Sequence, residues 1–320
     1  MNSLLKSLKE FDKNKNYVVA IIVETKGSTY RKSGAMMLVS DYFSYWGLLS
    51  GGCLEGDIVE HCKSVFENKT DTTINYNLRD DEDWLWGMGL GCDGEITILL
   101  KHLPAEHNHF GFIEMLTQIE SGINQFLSIE EDNGLTIAEL PPENDDSKFQ
   151  VELKAPHHLL VCGASPDVPP VTAIAHHIGW KTTVIDHRKV SLNKLLFPLV
   201  DNLIHVKNSQ WNDFNLSQFD SVIIMSHQYE RDRDYLKQLI KSQINYIGLL
   251  GPSKRRDKLL EDIGIKFETL NNRLFGPIGL DLGAGSPEEI ALAIVSEIQA
   301  VKNGKINHQQ IGFCYQDNNR

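Results

Sequence analysis

Cys53 is the side chain in this sequence whose surroundings best suit chemistry. It follows Ser50, Gly51 and Gly52, and the apolar periodicity from Leu54 onward predicts a helix that starts just after the two glycines. Amides without a helical partner and the positive end of a helix dipole favour the thiolate form of a cysteine placed there. A thiolate binds soft metals or attacks electrophiles. The alternative is that Cys53, like most cysteines, fills the core.

Two further loops carry polar groups that suit a ligand. Cys92 lies in the glycine-rich segment 87–94, GMGLGCDG, which predicts a second accessible thiol, with core filling as the alternative. The segment 27–34, GSTYRKSG, carries Ser28 and Arg31 among hydroxyls and backbone amides, a set that suits phosphate or another oxyanion. Taken alone, such an octet is more often a solvated hairpin loop.

The remaining cysteines are expected to be structural. Cys62 shares the apolar face of the helix after Cys53, and Cys162 lies inside a strand. Five cysteines are an odd number and include no CxxC pair, so we expect free thiols in a reducing compartment and no structural zinc site.

A degenerate nucleotide-binding turn follows the strand that ends near Cys162. Segment 163–168, GASPDV, keeps Gly163 but places Ser165 where a dinucleotide site has its second glycine, and two prolines follow. Asp186, 23 residues after Gly163 at the end of the next strand, is where a carboxylate would hold a ribose hydroxyl. His227 is the one acid–base candidate at a strand's carboxyl end. Whether the turn binds NAD(P), another adenine nucleotide or nothing stays open.

The elements that position these residues predict an α/β protein of two domains. From His157, apolar strands alternate with helices, which is typical of a parallel Rossmann-type sheet. The first part has several strands and few helices, which indicates a mixed α+β domain. Segment 141–148, PPENDDSK, is polar and proline-rich. We therefore assign residues 1–140 to the cysteine-bearing domain, 141–156 to a linker and 157–320 to the Rossmann-type domain.

The last predicted helix is clearly marked at its start. Ser286 is the expected N-cap, Pro287 occupies the first helical position, and Glu289 completes a capping box. The apolar periodicity that follows predicts a packed helix closing the second domain.

Charge and hydropathy exclude some classes of function. The formal net charge is −12, and a surface of this sign repels phosphate backbones, so nucleic acid is not an expected partner. A local basic site for a small anion is compatible with this charge. No run reaches the 18 apolar residues that suggest a membrane span, and the first residues lack a secretory core. We therefore expect a cytoplasmic protein.

Six segments, in order along the chain, resemble the XdhC/CoxI family of accessory proteins for xanthine dehydrogenase and related molybdenum hydroxylases. The segments are GSTYRKSGAMMLV, GLLSGGCLEGDIVE, GLGCDGEITILL, HHLLVCGASPDVPPVTAIAHHIGWKTTVIDHR, YIGLLGPSKRR and GPIGLDLGAGSPEEIALAIVSEI. The resemblance implies a protein that binds the molybdenum cofactor (molybdopterin), guards it during sulfuration and delivers it to an apo-hydroxylase. It implies a sulfur-donating cysteine desulfurase as a second partner. A homodimer would shelter such a cofactor at an interface.

The resemblance also assigns roles to residues. Cys53 would meet the cofactor and act as a molybdenum ligand, with Arg31, Gly51, Gly52 and Glu55 around it. Two alternatives remain: an NAD(P)-dependent oxidoreductase that uses the Rossmann-type domain, or a redox or metal sensor built on Cys53 and Cys92. A xanthine dehydrogenase itself is excluded, because five scattered cysteines cannot supply its iron–sulfur clusters.

Overall fold

The computed structural model describes residues 2–77, 94–130, 132–141, 147–270 and 273–306. The chain divides into two compact units, Met1–Pro156 and His157–Arg320. Each of the four hydrophobic core clusters takes all its residues from one unit. We describe the two separately, as the N-terminal unit and the C-terminal unit.

Two antiparallel sheets build the N-terminal unit. The larger has the order β3-β2-β1-β5-β4 and consists of β1 (Tyr17–Gly27), β2 (Met36–Ser40), β3 (Tyr45–Gly47), β4 (Thr72–Asn77) and β5 (Gly94–Leu103). The smaller has the order β7-β6-β8 and consists of β6 (Gln125–Ile129), β7 (Leu135–Ala138) and β8 (Phe149–Leu153). The helices are α1 (Asn2–Leu5), α2 (Glu55–Asn68) and α3 (Phe112–Ser121). The mixed α+β architecture is confirmed.

The central strand β1 is buried on both of its faces. Successive side chains of a strand point to opposite faces. Val18, Ala20 and Ile22 accordingly join the cluster that contains Cys62 of α2, whereas the alternate residues join the cluster that contains α1 and α3. This burial explains an unbroken apolar run in an antiparallel strand.

Part of the predicted linker is folded. The segment 141–156 contains β8, which pairs with β6 from Phe149 opposite Ile129 to Leu153 opposite Gln125. The assignment of this segment to a linker is therefore wrong for residues 149–153. Apolar and polar residues alternate only weakly in these residues, so the sequence does not mark the strand. It forms by pairing with β6, which lies earlier in the chain.

A six-stranded parallel sheet forms the C-terminal unit. Its order is β11-β10-β9-β12-β13-β14, and the strands are β9 (His158–Cys162), β10 (Lys181–Asp186), β11 (Asn202–His205), β12 (Ser221–Ile224), β13 (Tyr246–Leu249) and β14 (Leu274–Phe275). The helices are α4 (Val168–His177), α5 (Asn208–Trp211), α6 (Tyr229–Leu239), α7 (Ser253–Ile263) and α8 (Pro287–Lys302). The strand order reverses between β9 and β12, which confirms the Rossmann-type fold. Such folds bind ligands outside the carboxyl ends of the strands.

Helices cover both faces of this sheet. One core cluster includes α4 and α8, and the other includes α6 and α7. The capping box of α8 is confirmed: Glu289 N donates to Ser286 Oγ at 3.3 Å, and Ser286 N donates to the Glu289 carboxylate at 2.9 Å. Within the described ranges, no helix has the length and apolar character needed to cross a membrane.

Candidate cofactor-binding site

Residues 50–54, which we call the thiol loop, lie between β3 and α2. Helix α2 begins at Glu55, so Cys53 stands before the helix and not in its first turn. The helix therefore begins slightly later than the sequence predicts. The reason is a set of hydrogen bonds that holds the loop in a compact non-helical form.

The hydroxyl of Ser50 is the centre of this set. Its Oγ accepts hydrogen bonds from the backbone amides of Gly52 at 3.2 Å, Cys53 at 3.0 Å and Leu54 at 3.0 Å. The same hydroxyl donates to Glu55 Oε2 at 2.5 Å. These three amides precede α2 and have no intrahelical partner, and the hydroxyl oxygen shares its two lone pairs among them. Sequence reasoning missed Ser50, although a serine shortly before unpaired amides is a recognisable signal.

Glu55 anchors the thiol loop to the start of α2. Its side chain is 1% exposed, and Oε1 accepts the amides of Leu49 at 3.0 Å and Ser50 at 2.8 Å. Burial alone would raise the pKa of Glu55, but the hydrogen bonds from Ser50 and Leu49 outweigh it, and the pKa is lowered. The carboxylate thus faces the loop backbone and positions the loop.

Cys53 is exposed, whereas Cys62 and Cys162 are completely buried. Burial raises the pKa of the Cys62 thiol to about 12, so that thiol stays protonated. The prediction that Cys62 and Cys162 belong to the core is confirmed. Gly51 and Gly52 are exposed beside Cys53, and nothing lies within 4 Å of a side chain built on Gly52. Open space therefore surrounds the thiol loop on this side.

Residues 27–34, which we call the hydroxyl-rich loop, lie next to the thiol loop. A side chain built on Gly51 would come 4.0 Å from the ring of Tyr30. Thr29 Oγ1 donates to the carbonyl of Arg31 at 2.8 Å, which folds the loop back on itself and leaves Ser28 and Arg31 exposed. The structure therefore places Ser28 and Arg31 in a loop that adjoins the exposed glycines.

Cys92 lies outside the described residues, so its proposed contact with Cys53 is not tested by the structure. The residue that ends its segment is described: Gly94 pairs with Gly27 at the edge where β1 and β5 meet. A side chain on Gly94 would come 2.6 Å from the carbonyl oxygen of Ser28. Glycine is required there because the backbone approaches so closely.

The turn after β9 has the glycine that its geometry needs. Gly163 has φ of 125°, and a side chain there would lie 2.6 Å from the carbonyl oxygen of Met225. Ser165 is 6% exposed, with Oγ 2.8 Å from the same carbonyl oxygen and 2.5 Å from Asp167 Oδ1. Asp167 Oδ2 lies 2.8 Å from His227 Nε2. A carboxylate paired with histidine therefore occupies the turn.

Asp186 lies at the end of β10 as predicted, but its carboxylate is fully used. Oδ2 accepts from the amide of Ala164 at 2.8 Å and from Arg188 NH2 at 2.8 Å, and Oδ1 accepts from the amide and Nε of Arg188 at 2.7 and 3.0 Å. The side chain is 1% exposed. Both oxygens therefore already have partners within the chain. The ribose-binding role of Asp186 stays a prediction, and the sequence D-H-R contained the signal for Arg188.

Few backbone amides of this turn are free to bind the pyrophosphate of a dinucleotide. Its pyrophosphate needs free amides at the start of α4. The amides of Gly163, Ala164 and Val168 are bonded to Ile185, Asp186 and Ser165, and Pro166, Pro169 and Pro170 have none. Asp167 adds negative charge at the place where phosphates would lie. Within the described ranges, no group of three or more His, Cys, Asp or Glu side chains converges to hold a metal ion.

Comparisons with known proteins cover nearly the whole chain. Residues 11–77 match the model of the XdhC and CoxI family, and residues 159–298 match the XdhC Rossmann domain. A protein of Bacillus subtilis, named as a probable xanthine dehydrogenase subunit, is 30% identical over 88% of this chain and 92% of its own. The molybdenum cofactor insertion chaperone PaoD of Escherichia coli is 22% identical over 94% of this chain and 86% of its own.

A crystal structure from Bacillus halodurans, described as a xanthine dehydrogenase, superposes with a TM-score of 0.81 and 28% identity, over 96% of this chain and 97% of that one. The two family models match the two units in the order in which the thiol loop and the parallel sheet occur. The chain belongs to the XdhC and CoxI family.

Proposed function

We propose that this protein carries the molybdenum cofactor to an apo molybdenum hydroxylase of the xanthine dehydrogenase type and protects it during sulfuration. The observation that carries the proposal is the exposed thiol of Cys53 in a loop ordered by Ser50 and Glu55. The names of two relatives, one from a probable xanthine dehydrogenase and one a cofactor insertion chaperone, support the same role.

Each residue of the site has a part in this proposal. The Cys53 sulfur is a soft ligand suited to the molybdenum of the cargo. Gly51 and Gly52 present backbone without side chains, which lets a bulky cofactor approach. Arg31 and Ser28 are the groups that suit the phosphate of the pterin. Glu55 keeps the loop in shape, and Cys92 is retained from sequence as a further candidate.

The proposal assigns no turnover to the protein. Its partners are the apo-hydroxylase and a sulfur-donating cysteine desulfurase, and a homodimer would shelter the cargo between its two chains. NAD(P) is not part of this proposal, because several amides of the turn after β9 are already bonded within the chain.

The test is cofactor retention by variants of the full chain. The protein is isolated gently from cells that make the cofactor, and bound pterin and molybdenum are measured by fluorescence of the oxidised pterin and by elemental mass spectrometry. Cys53→Ala should retain less than about a tenth of the wild-type pterin, because a lost metal–ligand bond is worth more than tenfold in affinity. Its thermal unfolding should be unchanged, since the side chain is exposed.

Cys314→Ala is the matched control, because it also removes one thiol, and it should retain the cofactor. Equal retention by Cys53→Ala and wild type would refute the assignment of Cys53. A reversible disulfide between Cys53 and Cys92, without any pterin in the wild type, would favour the sensor in place of the carrier.

A further inference from the structure

A cationic cavity lies in the C-terminal unit, beside α5 and α6. Its volume is about 590 Å³, and the residues that matter here are Lys207, Trp211, Arg231, Tyr235, Lys237 and Lys241. Cavities of roughly 300–1,000 Å³ are typical of sites for small molecules. The cavity is large enough for a ligand the size of a small phosphorylated metabolite.

The three lysines around this cavity lack carboxylate partners. Among the described residues, none of Lys207, Lys237 and Lys241 has a carboxylate oxygen within 4.0 Å, whereas Lys101 lies 2.9 Å from Asp71. The single acidic side chain lining the cavity, Asp234, is shared between Arg231 at 4.0 Å and Arg233 at 3.3 Å. Unpaired like charges repel one another, and a bound anion would relieve that repulsion.

One end of the cavity lies near the carboxyl edge of the parallel sheet. Lys207 follows the carboxyl end of β11, and Arg231 lies in the first turn of α6, just after the carboxyl end of β12. Arg231 therefore lies near the carboxyl edge of the sheet, outside which α/β folds hold their ligands.

The usual phosphate-binding place in such a sheet, the turn after β9, is poorly suited to a phosphate here. The turn after β9 has its amides bonded internally and holds the Asp167 carboxylate, so it offers an incoming phosphate a negative charge and few donors. Beside α6, in contrast, Lys207 and Arg231 offer positive charge to an incoming phosphate.

We propose that the cavity between β11 and α6 binds a small molecule bearing two or more phosphate-type charges, in place of a dinucleotide at the glycine turn. The lysines supply point charges, and Arg231 supplies a planar fork that matches two phosphate oxygens. The buried rings of Trp211 and Tyr235 line the cavity beside these cations. This proposal does not depend on Cys53 or on the molybdenum cofactor.

Calorimetric titration of the full-length protein with inorganic pyrophosphate tests the proposal. We expect one site per chain, with affinity that falls as salt is raised, because exposed charges are screened. Lys207→Gln and Arg231→Gln should each weaken binding about tenfold, the effect of losing one charge-assisted contact. Lys207 is exposed, so its variant should fold normally.

Lys305→Gln is the control, since it removes the same charge from an exposed lysine in the same unit, outside the cavity. It should leave the affinity unchanged. The proposal is overturned if pyrophosphate does not bind, if Lys305→Gln weakens binding as much as Lys207→Gln, or if binding is unaffected by both cavity variants. Cofactor retention through Cys53 is measured separately, so failure of one proposal does not imply failure of the other.

Discussion

At the scale of single residues, the thiol loop shows how one small hydroxyl orders a reactive segment. Ser50 Oγ has one hydrogen, which it gives to Glu55, and it receives three amides in return. Each of these groups is at least partly removed from water. A buried polar group that loses its partner destabilises a protein more than the formed bond stabilises it.

Ser50→Ala should therefore weaken both the fold and the proposed function. The substitution leaves three amides and one carboxylate oxygen without their partner, so we expect the free energy of unfolding to fall by about 1–3 kcal/mol. Cofactor retention should also fall, although Cys53 is still present, because the loop no longer holds the thiol in place. Urea unfolding and pterin content measure the two effects.

Ser64→Ala is the control for this prediction. Ser64 is an exposed serine on α2 whose hydroxyl donates only to a backbone carbonyl one turn earlier in the same helix. Its loss should change neither stability nor pterin content by a measurable amount. If Ser50→Ala behaves like Ser64→Ala, the hydroxyl does not order the loop.

The burial of a side chain can be predicted from sequence where the spacing of nearby apolar residues determines it. The spacing of Cys62 with Leu54 and Ile58 predicts burial, and Cys62 is buried. The partners of a carboxylate, in contrast, depend on how the backbone folds around it. The resemblance implies a place for Glu55 beside the cofactor. In the structure, Oε1 accepts from the amides of residues 49 and 50, and Oε2 accepts from the Ser50 hydroxyl.

At the scale of elements, Asp186 links two turns at the carboxyl edge of the parallel sheet. It joins the turn after β9, through the amide of Ala164, to Arg188 after β10. Burial would raise the pKa of Asp186, but the bonds from Arg188 and Ala164 outweigh it and lower the pKa. A lowered pKa means that the ionised carboxylate stabilises the folded chain.

Asp186→Asn should destabilise the C-terminal unit by about 1–3 kcal/mol at neutral pH, because a charged acceptor becomes a neutral amide. The contribution of Asp186 is present above the pKa of about 3.9 that an aspartate has in the unfolded chain, and it is lost as pH falls through the lower folded pKa. The difference between wild type and variant should therefore shrink in acid. Urea unfolding at a series of pH values measures it.

Asp213→Asn provides the comparison, because Asp213 is exposed and its carboxylate takes part in none of the described ion pairs. This variant should unfold like the wild type at every pH. If the difference in free energy of unfolding between Asp186→Asn and wild type stays constant as the pH falls, the role given to the ionised carboxylate is wrong.

Elements are predictable where apolar runs and caps mark them. The strands of the parallel sheet and the capping box at Ser286 follow from residues next to one another in sequence. Strand β8 and the start of α2 are not predictable in this way. The first depends on pairing with β6, and the second depends on Ser50 and Glu55 closing the thiol loop before the helix begins.

At the scale of the whole molecule, the division of the core has a measurable effect. Since no core cluster mixes residues of the two units, a local destabilisation should spread through its own unit. Hydrogen exchange followed by mass spectrometry should show faster exchange in residues 2–156 for Ser50→Ala and in residues 157–306 for Asp186→Asn. If either variant accelerates exchange equally throughout the chain, the two units unfold as one.

Leucines packed in the core stand at both ends of the thiol loop. Leu49 is 0% exposed and Leu54 is 1% exposed, and both belong to the cluster beneath α2. The Cα of Cys53 therefore lies about 3.8 Å from that of Leu54, a residue packed in the core. Because Cys53 is one residue away from the core, its sulfur has a short range of movement and cannot carry a bound group over a long distance. If Cys53 binds the molybdenum cofactor, the recipient enzyme must place its own cofactor pocket directly against the thiol loop before the cofactor is transferred.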